Sequence, residues 1–319
     1  MILMHNKLYI LLIAAVLCLS CSKVTTEQKG DVQVNFSTTL DKATKVGSYF
    51  EAGDRLGVLG YNLVEGKTWN EAPVAPGFMY NEVLEYNGEK WSTLKEFYWS
   101  PRKENRKRFY AYYPHAENGT NGEVAISPGS HTGSPFIDFT VTDGKTDFIT
   151  CSAEEGNVEN PMIRFTAKHA LAKLTIGFAT DLEEGFAYVK ATKVKGVVKN
   201  GKYTFDATGG NGFTYNSRQT VDLDLAQPAE DIVVSSNEAV YADEYTLYLL
   251  PLYENDGKGS VQEIETVING VPKVFDLSSV PLASGKNTIV RIVINQKDVK
   301  FTAAIRDWET GGSASGTID

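Results

Sequence analysis

The sequence reads as an all-β chain built from two stacked β-sandwich domains. Three observations carry this. Apolar and polar residues alternate with a period of two along most of the chain, and almost nothing sustains a helical period. β-Branched and aromatic runs recur at Leu56–Tyr61, Phe109–Tyr113, Leu174–Phe178, Thr246–Leu250 and Thr288–Ile294. Four dipeptides suited to two-residue hairpins stand among such runs: Asn87-Gly88, Asp143-Gly144, Asn200-Gly201 and Asn269-Gly270. Roughly 18 strands of ordinary length exceed what one small sandwich holds, and their uneven spacing argues against a single closed barrel.

In chain order, the first element is an address. Lys7 is a lone cation ahead of an apolar run from Leu8 to Leu19. That run is too short for a bilayer core, which needs roughly 20 residues, but it suits a secretory signal. Leu19-Ser20-Cys21 follows and resembles the lipobox of bacterial lipoproteins, making residues 1–20 the signal peptide and Cys21 the candidate lipidation site. More than one acyl chain on it gives stable anchoring. Cys18 leaves with the signal, so Cys151 has no intrachain partner and reads as a small buried hydrophobe.

Residues 21–31 form a polar tether. Val32, Val34 and Phe36 then alternate with Gln33, Asn35 and Ser37, which predicts a first strand with those three side chains inward. It opens an N-terminal sandwich over 32–160, and the acidic stretch Ala153–Asn160 before Pro161 marks the passage to a C-terminal sandwich over 161–319. Val197–Phe205, around Asn200-Gly201, reads as the clearest hairpin, and His169–Lys173 as the one helix-like stretch.

Chemistry-bearing patterns are sparse. His115, His131 and His169 lie too far apart in sequence for a local metal pair. No Gly-x-Ser-x-Gly elbow occurs, since Gly312–Gly316 has Ala314 in the nucleophile position. Gly209–Gly212 lacks the strand-to-helix context of a phosphate loop. Asp222 and Asp224 share one strand face, a pattern open to half a calcium site or a glycosidase carboxylate but commoner on a solvated strand. No catalytic residue, metal or cofactor is assigned. A formal charge of −9 leaves no basic field for nucleic acid. Arg102, Lys103, Arg106, Lys107 and Arg108 read either as an anionic-glycan or lipid-headgroup contact or as a solvated hairpin tip. The aromatic density of residues 78–113 reads as a sugar-stacking platform, with Trp91 or Trp99 exposed, or as sandwich core.

Four segments in order resemble the fimbrillin family, the pilin-like lipoproteins of Bacteroidales bacteria. Phe50–Val58 (Phe-Glu-Ala-Gly-Asp-Arg-Leu-Gly-Val) is similar to the family's F-x-x-G-D-x-I-G-V opening. Trp99-Ser100-Pro101 with Phe109–Pro114 resembles its W-x-P and F-x-A-Y-Y-P. Phe165–Leu174 resembles its F-x-H-A-L-A-K-L entry, and Ile305–Trp308 its closing I-x-x-W.

The resemblance implies transthyretin-like sandwiches and a non-enzymatic lipoprotein of the outer membrane, lipid-anchored through Cys21 and part of a surface fimbrium if it polymerises. Its implied partners are other pilin subunits, joined by strand exchange, and a host or bacterial surface ligand. Carried onto this chain, the removable strand is Val32–Thr38 and the maturation cut falls at Lys45-Val46. Two departures stand out. Lys45 occupies the place where pilins matured by an Arg-specific protease carry Arg. The tail after Trp308 is rich in Gly and Ser and poor in groove-filling side chains, which suits a tip or accessory subunit. The alternative is a glycan-binding lipoprotein of a nutrient-uptake complex.

Overall fold

The computed structural model describes residues 30–40, 50–181, 187–205, 212–215, 219–225, 232–251, 261–295 and 299–307. The signal segment, Cys21, Lys45, Val46 and the tail from Trp308 lie outside the described residues. The architecture is all-β, with four sheets packed together and no α-helix among the described residues.

The first sheet has eight strands. They are β1 (Asn35–Leu40), β2 (Arg55–Asn62), β3 (Met79–Tyr86), β4 (Trp91–Thr93), β5 (Lys107–Tyr113), β8 (Ile149–Cys151), β9 (Glu154–Gly156) and β10 (Met162–His169). Their order is β1-β10-β8-β5-β2-β3-β4, with β9 beside β5. An antiparallel sheet of four holds β6 (Val124–Ile126) and β7 (Phe136–Thr140) with β13 (Asn200–Thr204) and β14 (Gly212–Thr214), ordered β14-β13-β7-β6. The remaining strands are β11 (Ala172–Thr180), β12 (Ala187–Val198), β15 (Thr220–Asp224), β16 (Ile232–Val234), β17 (Val240–Leu249), β18 (Glu263–Ile268), β19 (Val271–Asp276), β20 (Lys286–Ile294) and β21 (Val299–Asp307). They form the sheets β17-β11-β20-β21 and β15-β12-β18-β19, with β16 beside β12.

The central strands of the first sheet are apolar on both faces because both faces are covered. Leu56 and Val58 of β2, with Phe109 and Ala111 of β5, point into one core. Leu59, Tyr61, Tyr110 and Tyr112 point into the other, which continues into the C-terminal sheets. This explains why Leu56–Tyr61 and Phe109–Tyr113 read as unbroken apolar runs rather than as alternation.

Several sequence expectations need correction. His169–Lys173 is no helix: His169 ends β10, Ala172 begins β11, and Ala170-Leu171 is a buried link tied by Ala170 N–H to Phe148 O (2.8 Å) and Gly285 N–H to Leu171 O (2.8 Å). Helix-forming Ala and Leu are overruled here by burial between two sheets. β10 belongs to the first sheet, so the chain leaves that sheet for the last time at this link.

Asn200-Gly201 is no hairpin either. The chain runs through it from β12 into β13, which lie in different sheets. A side chain at Gly201 would press within 3.0 Å of Leu250 and Phe213, so glycine serves close packing there. Asp143-Gly144 links β7 to β8 across sheets as well. Asn269-Gly270 is a two-residue hairpin, with φ of 49° and 78°, joining β18 to β19. Asn87-Gly88 turns β3 into β4 through a four-residue connection, with Asn87 Oδ1 accepting from the Lys90 N–H at 2.8 Å.

Candidate strand-exchange groove

Residues 30–40 close the first sheet on itself. β1 runs parallel to β10 in register Asn35↔Met162 through Leu40↔Ala167. Upstream of β1 the chain pairs with the segment that follows β4, at the sheet's opposite end. Gly30 N–H donates to Trp99 O (3.0 Å), Trp99 N–H to Val32 O (2.9 Å) and Val34 N–H to Phe97 O (2.9 Å). The sheet therefore curls around its smaller core, and residues 30–40 are the seam.

Two side chains plug that seam. Phe36 is 7% exposed, stacked on Phe165 (5.9 Å, 10°) and edge-on to Phe109 (5.7 Å, 82°). Val34 is 3% exposed in the same core, with Trp99, Ile163 and Ala167. Trp99 is fully buried and fixed by Nε1–H donating to Pro161 O at 3.1 Å. Val32 departs from the expected inward trio: it is 38% exposed, and residues 31–33 all face solvent. Burying side chains of this kind is worth roughly 1.5–3 kcal/mol each, so Val34 and Phe36 together contribute at most about 3–6 kcal/mol. Take residues 30–40 away and Phe109, Phe165 and Ile163 face a slot edged by the unpaired backbone of β10 and of Phe97–Trp99.

Sequence reasoning places Gly30 in the tether and leaves Trp99 open between exposed platform and sandwich core; the structure gives core. The spacing Gly30-x-Val32-x-Val34-x-Phe36 carries the signal for Gly30, since glycine continues the alternation at a place where a Cβ would collide with the Trp99 carbonyl oxygen. The burial of Trp99 had no local signal.

The other candidates resolve as framework. Trp91 is half-buried, edge-on to Phe50 (5.0 Å), so neither tryptophan of the proposed platform lies free on the surface. Of the basic cluster, Lys107 is buried with Nζ 2.7 Å from Asn62 Oδ1 and 4.2 Å from the Phe78 ring centroid. Arg106 and Arg108 both pair with Glu155, and Lys103 reaches Glu159 at 3.8 Å. Arg102, Lys103 and Arg106 stay exposed on the loop ahead of β5, so the cluster is mostly a solvated tip, with Lys107 and Arg108 drawn into the sheet. Asp224 pairs with Lys193 (3.1 Å) while Asp222 accepts from the Gly196 N–H (3.0 Å), so each carboxylate has its own partner on β12.

Cys151 is buried, and desolvation raises its thiol pKa, which keeps it an unreactive hydrophobe. His115 is lowered from the usual histidine range by burial, although Asn81 O lies 3.3 Å from its Nε2. His131 sits against Phe136, and His169 Nδ1 is 2.7 Å from Asp147 Oδ2. Tyr113 is pushed up to about 12 by burial and by the Asp54 carboxylate, which accepts its hydroxyl at 3.2 Å. No group of three or more potential metal ligands occurs among the described residues.

A protein-family model described as fimbrillin-like matches residues 42–308. The chain belongs to the fimbrillin-like family. Solved structures agree on the fold. A fimbrial protein from Bacteroides vulgatus superposes with a TM-score of 0.67 at 15% identity, covering 86% of this chain and 99% of its own. Two proteins with provisional cell-adhesion designations are also similar. The one from Bacteroides uniformis gives 0.56 at 18% identity over 88% of this chain and 100% of its own. That from Bacteroides ovatus gives 0.55 at 19% over 89% and 100%. No curated protein matches at comparable significance. The fimbrillin-like match begins at residue 42, just past β1, so the seam strand lies outside the matched body.

Proposed function

We propose that this fimbrillin-like chain is a non-enzymatic cell-surface pilus subunit, structural or adhesive, of tip or accessory type. It is held to the outer membrane by lipid on Cys21, and it assembles when a cut at Lys45-Val46 frees residues 32–38 and a strand of another subunit takes their place. One observation carries the reading. Residues 30–40, the first described segment of the chain, form a seam held by backbone pairing and two buried plugs. An incoming strand restores both the hydrogen bonds and the plugs, so replacement is balanced where simple loss is not. A Lys-tolerant protease makes the cut. The buried Trp99 removes the main support for the glycan-platform alternative.

Mass spectrometry of the mature protein from its native membrane tests the anchor and the cut together. Acylated Cys21 in the uncut precursor and a chain beginning at Val46 in the assembled form are expected, and Cys21→Ala should abolish membrane partitioning of the precursor. An assembled form that retains residues 32–38 would rule out exchange at this end.

A further inference from the structure

We infer that the strand accepted by this groove comes from another chain and carries a defined spacing: glycine, then a small β-branched residue four positions on, an aromatic two further, and an aliphatic residue two beyond that. The inference rests on the exchange reading above and specifies its partner. The resident segment is the template, and each of its positions is read from the contacts that a replacement must reproduce.

The first position admits only glycine. Gly30 N–H donates to Trp99 O at 3.0 Å, and any Cβ there would fall inside contact distance of that oxygen, with Pro101 N a further 3.4 Å neighbour. Positions 31–33 are exposed and unselective. Position 34 is a closed site of valine size. Position 36 is lined by the Phe165 face and the Phe109 edge, an arrangement that favours a flat ring.

Position 38 is where the resident strand is deficient. Thr38 Oγ1 is buried and has no hydrogen-bond partner among the described residues. A hydroxyl shut off from water without a partner is destabilising, and valine has the same shape without that cost. A donor with an aliphatic residue at this position therefore displaces the resident strand downhill. The discrepancy gives the exchange its direction.

The residues from Trp308 to Asp319 do not meet the rule. Counting from Gly312 puts Gly316 at the valine position and Ile318 at the aromatic one, and counting from Gly311 puts Ser315 and Thr317 there. The donor is accordingly an extended segment of a different chain.

The test uses the full mature chain nicked by trypsin in residues 41–49, with labelled synthetic peptides of residues 29–40 added under mild denaturant and followed by fluorescence anisotropy. The parent peptide should exchange into the groove. Thr38→Val in the peptide should bind about tenfold tighter, the order expected for relieving one unsatisfied buried hydroxyl. Gly30→Ala and Phe36→Ala should each weaken binding by well over tenfold. If the parent peptide exchanges but these variants bind equally, the spacing rule is wrong while strand exchange stands. If no peptide exchanges even after the nicked strand has been stripped and removed, both the rule and the exchange reading fail.

Discussion

The seam segment and β21 are both terminal and both border their sheets, yet they are held in opposite ways. β1 pairs over six residues with a parallel neighbour, and the segment's apolar grip is concentrated in Val34 and Phe36, each under 10% exposed. β21 pairs over nine residues with antiparallel β20, and its side chains are mostly half-buried, with Lys300, Thr302 and Asp307 exposed. Its Phe301 meets Phe275 edge-on at 5.9 Å in a shallow groove shared with β19. One strand is held by depth and the other by length. A strand held by depth depends on a few plugs, whereas one held by length must unzip along its whole backbone.

This contrast can be broken most directly at the two phenylalanines. Phe36→Ala should cost about 3–5 kcal/mol, the range for truncating a buried phenylalanine, whereas Phe301→Ala should cost less than half as much. Equal losses in urea unfolding would erase the distinction. Hydrogen exchange sharpens it next. Deleting residues 30–40 should expose the β10 amides of Met162–Ala167 to rapid exchange and leave those of β20 protected; uniform loss across both sheets would show that the seam supports the whole molecule.

Acid gives a smaller effect confined to the N-terminal part. Burial holds His115 below the ordinary histidine pKa, about 6.5, so the unfolded chain binds its proton more readily than the folded one. Stability from this group is full above that pH and falls as pH drops through the window beneath it. His115→Gln should flatten the slope of melting temperature against pH there, and an unchanged slope would refute the assignment. The smallest change should be Asp307→Asn at the end of β21, where an exposed pair with Lys286 is removed, at a cost of about 0–1 kcal/mol.

Fold class was legible because strand signals are local. The runs around Leu56, Phe109, Leu174, Thr246 and Thr288 all lie in strands, and Asn269-Gly270 turns as its residues dictate. Which strand pairs with which was not, because partner choice is made by the cores. Asn200-Gly201 has ideal turn chemistry, yet Val197 and Tyr203 belong to strands of different sheets. Of the candidate site, the alternation of Val34 and Phe36 was readable, while the pairing of Gly30 with Trp99 depends on a curl that joins residues 69 positions apart.

The parallel pairing of β1 with β10 also constrains the order in which the molecule can be made. Asn35 meets Met162, so the first strand of a chain exported from its N-terminus has no partner until well over a hundred further residues have crossed the membrane. β7 waits similarly for β13, whose Tyr203 sits opposite Ile137. Such long-range closure is slow and leaves strand edges bare in the interval. The bare interval is when the edges of β1 and β10 are most open to wrong pairing.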